Sequence, residues 1–149
     1  MSDVFQGTYD PTKCVINVAG ADIGGPLGGG TFLKITRNED AYTYAPGARG
    51  GGTRTRNANR SGIIEITVQA SSPAMAILSA LAAADELDGS GIGAFLFKDN
   101  SGAGPATTAE AEYIWVKKQG DIERGKEIGE VTWTLEAADL VIAHNGIVQ

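Results

Sequence analysis

Apolar and polar residues alternate along several parts of the chain, a pattern typical of half-buried β-strands. Within residues 61–72, the apolar series is Ile64, Ile66 and Val68, and the polar series is Glu65, Thr67 and Gln69. Near the C-terminus, Val131, Trp133 and Leu135 alternate with Glu130, Thr132, Thr134 and Glu136. Further strands are predicted within residues 13–23, 31–40 and 92–99, and the span 111–146 is predicted to hold two strands around a turn.

One helix is predicted, at about residues 73–87. Ser72 can cap its N-terminus, Pro73 suits the first helical position, and Gly89 can end it. Met75, Leu78, Leu81 and Ala82 form one apolar stripe, which should pack on a sheet.

These elements predict a mainly-β fold. Five or six strands and one helix, with no alternation of strand and helix, indicate a β-sandwich or small barrel with the helix on one face or edge. A length of 149 residues is consistent with a single domain spanning residues 1–149 around one core.

Residues 44–62 concentrate positive charge and glycine in an otherwise acidic chain of net charge −6. They hold four of the 12 Lys and Arg residues, and no acid lies between Asp40 and Glu65. Because strands are predicted on both sides, the span at about 42–60 should be an extended loop, longer than the common hairpin loops of about two to five residues.

Three interpretations of this loop stay open. It can dock on an acidic neighbouring subunit, bind nucleic acid, or remain a disordered solvated loop. A nucleic-acid element would need aromatic platforms between its basic residues, and only Tyr42 and Tyr44 are near. An isoelectric point near 4.7 also disfavours a general nucleic-acid binder.

The sequence offers little for catalysis, so we expect no enzyme activity, cofactor or metal site. Residues 120–127 resemble a phosphate-binding loop, but Glu127 replaces the required Ser or Thr. A single cysteine, Cys14, and a single histidine, His144, cannot supply a usual zinc ligand set. The longest apolar run, residues 74–84, covers about half a membrane span, so membrane insertion is not expected. The first ten residues contain Asp3 and no apolar segment, so no signal peptide is expected.

Several strings resemble the tail tube proteins of contractile-tailed bacteriophages, and the resemblance covers nearly the whole chain. They include FQGTYDP at 5–11, RNEDA at 37–41, RNAN at 56–59 and LSALAAADE at 78–86. The resemblance implies a structural virion protein that forms stacked hexameric rings, whose inner sheets join into one barrel around the path of the DNA. Its implied partners are copies of itself, a contractile sheath, a tape-measure protein, and baseplate or terminator proteins. The protein would be synthesised in the host cytoplasm and reside in the virion tail.

On this interpretation, the polar residues of the two clearest strands face the channel. The predicted lumen residues are Glu65, Thr67, Gln69, Glu130, Thr132, Thr134 and Glu136. They include no Lys or Arg, and such a wall should let DNA slide because it does not bind the phosphates. Ordinary solvent exposure predicts the same alternation.

The Arg/Gly loop would then contact a neighbouring subunit or ring. The predicted contact residues are Tyr44, Arg49, Arg54, Arg56 and Arg60, with Asp85, Glu86 and Asp88 as acidic partners and Asp121 or Glu123 as further ones. The alternative function is a small nucleic-acid-binding module that uses the Arg/Gly loop.

Overall fold

A computed structural model describes residues 7–23, 27–102 and 104–146. The elements, in chain order, are a 3₁₀-helix (Pro11–Lys13), β1 (Cys14–Val18), β2 (Ala21–Asp22), β3 (Leu33–Arg37), β4 (Tyr42–Pro46), β5 (Gly52–Arg56), β6 (Gly62–Gln69), α1 (Ala74–Asp88), β7 (Gly93–Asp99), β8 (Thr107–Lys118), β9 (Glu130–Ala137) and β10 (Leu140–Ala143). No helix in these described ranges is long and apolar enough to cross a membrane. Residues 1–6, which include part of the FQGTYDP string, lie outside them.

Eight strands form one antiparallel sheet in the order β2-β1-β7-β8-β9-β6-β3. The eighth strand, β10, pairs with the first half of the long strand β8, while β9 pairs with the second half. The strands β9 and β10 therefore follow each other along one edge of β8. The strands β4 and β5 form a separate two-stranded sheet.

A single apolar cluster fills one face of the large sheet. On β6, Ile64, Ile66 and Val68 are fully buried, and Val131, Trp133 and Leu135 lie beside them on β9. Ile16 of β1, Phe95 of β7 and Ala109 of β8 belong to the same cluster. The period-2 pattern of the sequence thus corresponds to burial of every second side chain.

The helix α1 packs on this cluster through the predicted stripe. Ala74, Leu78 and Ala82 are buried, and the indole Nε1–H of Trp133 donates to the Met75 sulfur at 3.4 Å. Ser72 Oγ accepts a hydrogen bond from the Ala74 N–H at 3.2 Å, and Gly89 ends the helix with a left-handed φ of 74°. The predicted fold class, mainly β with one helix packed on the sheet, is confirmed.

The strand count differs from the prediction, since ten strands are described rather than five or six. Residues 13–23 form two strands because Ala19 (φ 53°) and Gly20 (φ 84°) reverse the chain between them. Residues 111–146 hold β10 in addition to two longer strands, because Ala138 and Asp139 interrupt the pairing with β8.

The span predicted as an extended loop at about 42–60 is itself a β-hairpin. Its two strands pair antiparallel over five residues each, and the connection of residues 47–51 contains Gly50 at φ 93°. Because no apolar alternation marks β4 or β5, the hydrophobic pattern gave no sign of them.

Candidate assembly surfaces

The seven predicted lumen residues lie on one face of the sheet, opposite the core. The register places Glu65 opposite Thr134, Thr67 opposite Thr132, and Gln69 opposite Glu130. Glu136 lies opposite Ile63 on the same face. All seven side chains are at least partly exposed. We call this surface of β6 and β9, with the neighbouring positions of β3 and β8, the polar face.

Two contacts fix side chains within the polar face. The hydroxyls of Thr67 and Thr132 lie 2.9 Å apart and share a hydrogen bond across the two strands. The Gly29 N–H donates to Glu130 Oε2 at 2.6 Å. Gly28 packs so closely that an added Cβ would lie 2.8 Å from Thr67 Cγ2. Residues 28–29 therefore cover one end of the face and engage one of its carboxylates.

The flanking strands add basic residues to the polar face, which the sequence interpretation did not include. Lys34 of β3 lies opposite Glu65, and Lys118 of β8 lies opposite Thr134. Trp115 of β8 lies opposite Glu136. The seven predicted lumen residues of β6 and β9 include no Lys or Arg, but β3 and β8 add two lysines to the same surface. Alternation within one strand does not reveal which residues its neighbours contribute.

The β4–β5 hairpin presents aromatic and basic side chains together on one side. Tyr42 lies opposite Arg56, Tyr44 lies opposite Arg54, and the Arg54 guanidinium carbon is 4.1 Å from the Tyr42 ring centroid. All ten strand residues are exposed. We call these four side chains the Tyr–Arg face. Cross-strand pairing thus places each tyrosine beside an arginine, whereas in the sequence both tyrosines precede these arginines.

The other two predicted arginines lie away from this face. Arg49 is in the exposed tip of the hairpin. Arg60 follows β5 at the base, where its carbonyl oxygen accepts hydrogen bonds from the Leu140 N–H at 2.9 Å and from Arg37 Nη1 at 3.3 Å.

A polar network holds the base of the hairpin. Glu39 Oε2 accepts from Asn57 Nδ2 at 3.4 Å and from Asn59 Nδ2. Asn57 Oδ1 accepts from the Asn59 N–H at 2.9 Å, and Asn59 Oδ1 accepts from the Ser61 N–H at 3.1 Å. Asn38 Nδ2 donates to Ser61 Oγ at 2.9 Å. The RNED and RNAN strings thus meet in space, and together they fix where the hairpin leaves the large sheet.

The predicted acidic partners cluster at the C-terminal end of α1. Asp85 is half-buried, and Glu86 and Asp88 are exposed. Hydrogen bonds from the Ser90 side chain and backbone lower the pKa of the Asp88 carboxyl. Leu87, between two of these acids, is 85% exposed, a feature that the sequence interpretation missed.

The single cysteine and the single histidine line the same cavity. It has a volume of about 450 Å³ and is lined by Tyr9, Cys14, Phe32, Phe97 and His144, among others. Burial raises the pKa of the Cys14 thiol, and the Tyr9 hydroxyl lies 3.9 Å from its sulfur. A thiol with a raised pKa is a poor nucleophile at neutral pH. Among the described residues, no group of three or more His, Cys, Asp or Glu could hold a metal ion.

No protein-family model matches the chain, and no curated protein sequence matches it. Solved structures do match, at low sequence identity. The tube-terminating cap of the anti-feeding prophage is 11% identical, with a TM-score of 0.61 over 97% of each chain.

Two further matches come from an extracellular contractile injection system, PVC, in its extended state. Its sheath/tube terminator is 12% identical, with a TM-score of 0.63 over 92% of this chain and 97% of that chain. A chain of its sheath–tube complex is 12% identical, with a TM-score of 0.61 over 91% of both chains. The chain therefore has a fold that occurs in components of contractile injection systems.

Proposed function

We propose that the chain is a structural subunit of a contractile tail or a related injection particle, without catalytic activity. It assembles with copies of itself into hexameric rings that form the inner tube or complete its end. The observation that carries this proposal is the shared fold, which covers 91–97% of the chain in three components of contractile particles. The tail-tube resemblance of the sequence supports the same role.

In the ring, the polar face lines the channel. The four strands that contribute to it are neighbours in the order β8-β9-β6-β3. In the described chain, β3 pairs with β6 alone and the end of β8 pairs with β9 alone. Joining β3 of one copy to the end of β8 in the next would satisfy both free edges and close the sheet into a barrel.

The charge of the polar face suits the passage of DNA. Three carboxylates (Glu65, Glu130 and Glu136) and two lysines (Lys34 and Lys118) leave a net charge of 2 − 3 = −1 per subunit. Affinity for DNA grows with the number of phosphates that a protein neutralises. A weakly acidic surface with threonine hydroxyls would therefore let double-stranded DNA slide without sequence-specific binding.

The further partners are those of a tail: a contractile sheath outside the tube, a tape-measure protein inside it, and baseplate or terminator proteins at its ends. The protein would be made in the host cytoplasm and reside in the tail of the particle.

Negative-stain electron microscopy and sedimentation of the purified chain test the proposal. We expect rings or tubes with a central channel, at protein concentrations where the sedimentation coefficient rises above the monomer value. The proposal would be contradicted if the chain stays monomeric at every concentration, both alone and when mixed with purified pieces of a contractile tail.

A second candidate function, nucleic-acid binding, is favoured by one observation. Arg54 stacks on Tyr42 within an exposed face that alternates aromatic and basic groups, as in platforms for single-stranded nucleic acid. Fluorescence anisotropy with a labelled single-stranded oligonucleotide would show affinity that falls with salt and is lost in Arg54→Ala/Arg56→Ala. The structural role predicts no such affinity at about 0.15 M salt.

A further inference from the structure

We propose that the Tyr–Arg face of one copy receives the C-terminal end of α1 of a second copy, with Leu87 as the apolar anchor. This inference rests on the proposed self-assembly and assigns two of the surfaces that carry it. Glu86 and Asp88 face the arginines in this contact, and Leu87 packs against the tyrosine rings.

The Tyr–Arg face has the composition of a binding surface. Tyr42 and Tyr44 are 44% and 59% exposed. Arg56 lies opposite Tyr42, and Arg54 lies opposite Tyr44. Tyrosine and arginine are enriched at interface positions that contribute most to affinity, because both combine large contact area with directed polar groups. No carboxylate occurs between Asp40 and Glu65, so this hairpin attracts an acidic partner.

The end of α1 has the complementary chemistry. Leu87 is 85% exposed, and Glu86 and Asp88 adjoin it in the chain. The last turn of the helix carries no basic residue. Carboxylates at a helix C-terminus are unfavourable because the helix dipole is negative there. Arginines from another copy would offset both the acids and the dipole while covering the exposed leucine.

Two different surfaces meet in this contact, so the same contact can repeat from one copy to the next. A contact between unlike surfaces leaves one free hairpin and one free helix end on every pair, and repetition gives a closed ring or a continuing stack. All strand residues of the hairpin are exposed within one copy, which leaves the face open to a neighbour.

The strand pairing and the Tyr–Arg contact of the hairpin are formed within one copy. The Glu39 network holds its base, and Arg54 is held over the Tyr42 ring. Binding to a surface whose side chains are already placed loses less conformational entropy than binding that must order a loop. A preformed face therefore suits assembly from monomers.

Charge reversal tests the contact. Arg54→Glu and Glu86→Arg should each weaken self-association at least about a hundredfold, because an attractive pair becomes a repulsive one. An equal mixture of the two variants should recover assembly, since each supplies what the other lacks. In that mixture, the altered hairpin of the first variant binds the altered helix end of the second. The unaltered hairpin of the second variant binds the unaltered helix end of the first. Sedimentation velocity across a concentration series measures all three samples.

Lys98→Glu is the matched control, because it makes the same change in net charge at an exposed position of β7, outside both contact surfaces. It should assemble like the unaltered chain. If the unaltered chain assembles and both reversals assemble equally well, the contact is wrong while the proposed function stands. Single reversals that abolish assembly without recovery on mixing also overturn the contact.

Photo-crosslinking from position 44 supplies a readout that does not need stable rings. Benzoylphenylalanine in place of Tyr44 keeps an aromatic ring, and we expect purified protein to cross-link between copies to residues 84–92. Cross-links confined to other segments, or none at the highest soluble concentration, overturn the inference. A result with nucleic acid would also overturn the inference. In that result, a single-stranded oligonucleotide binds the Tyr–Arg face at about 0.15 M salt, and Arg54→Glu abolishes this binding while sedimentation of the protein is unchanged.

Discussion

At the residue scale, Gly62 shows how closely strands and turns approach in this fold. It is a buried position at the start of β6, opposite Ala137 of β9. A Cβ added there would lie 2.6 Å from Leu140 Cδ2 and 2.7 Å from the Thr36 carbonyl oxygen. Since the second neighbour is backbone, it cannot move aside as a flexible side chain would.

We therefore expect Gly62→Ala to lower the free energy of unfolding by about 1–3 kcal/mol, the usual range for overpacking. Urea denaturation followed by circular dichroism measures the change. Gly125→Ala is the matched control, because nothing lies within 4 Å of an added Cβ and the substitution adds the same methyl group. Equal stability of the two variants would contradict the expected steric clash.

At the scale of the element, α1 places two of its leucines in opposite environments. Leu78 is fully buried against the sheet, whereas Leu87 is 85% exposed near the end of the same helix. The apolar stripe explains the first leucine as packing. The second contributes little to the fold, which leaves it available for the contact proposed above.

Substituting each leucine by alanine tests packing in the core separately from the proposed contact. Leu78→Ala should lower the free energy of unfolding by about 2–5 kcal/mol, because it leaves a cavity in the core. Leu87→Ala should leave unfolding within about 0.5 kcal/mol, as for most surface changes, and weaken self-association. Thermal unfolding and sedimentation velocity on the two variants measure both effects. A strong loss of stability in Leu87→Ala would show that this side chain serves the fold.

At the scale of the whole molecule, the hairpin is an appendage to the large sheet. Its strands pair only with each other in the described structure. The residues that flank it are adjacent, since the Asn57 N–H donates to the Ala41 carbonyl oxygen at 2.8 Å. The fold should therefore tolerate removal of the hairpin.

Replacing residues 42–56 by an Asn-Gly turn should change the free energy of unfolding by less than about 1 kcal/mol, because no core residue is lost. The same chain should fail to assemble. Electron microscopy and urea denaturation of one preparation measure the two results. Thr53→Ser/Thr55→Ser, on the opposite side of the hairpin, should assemble normally, and rings of normal size from the shortened chain would refute the assembly role.

The sequence alone determined the mainly-β class and the single packed helix, because both are local signals. Burial of alternate residues in β6 and β9 follows from a period of two, and α1 begins and ends within one residue of the predicted bounds, with Pro73 and Gly89 at its two caps. The sequence predicts a loop where the hairpin lies, because β4 and β5 have no series of apolar residues to bury. All their residues are exposed.

Only the tertiary structure decided which side chains share a surface. Lys34 beside Glu65 and Arg54 over Tyr42 depend on strand register, and so does Lys118 opposite Thr134. The pattern within one strand determines which face each side chain takes, but the strand order, the turns and the bulges decide which residue of which neighbouring strand lies opposite it. For the same reason, the two lysines of the polar face and the Tyr–Arg face became visible only once the strands were paired.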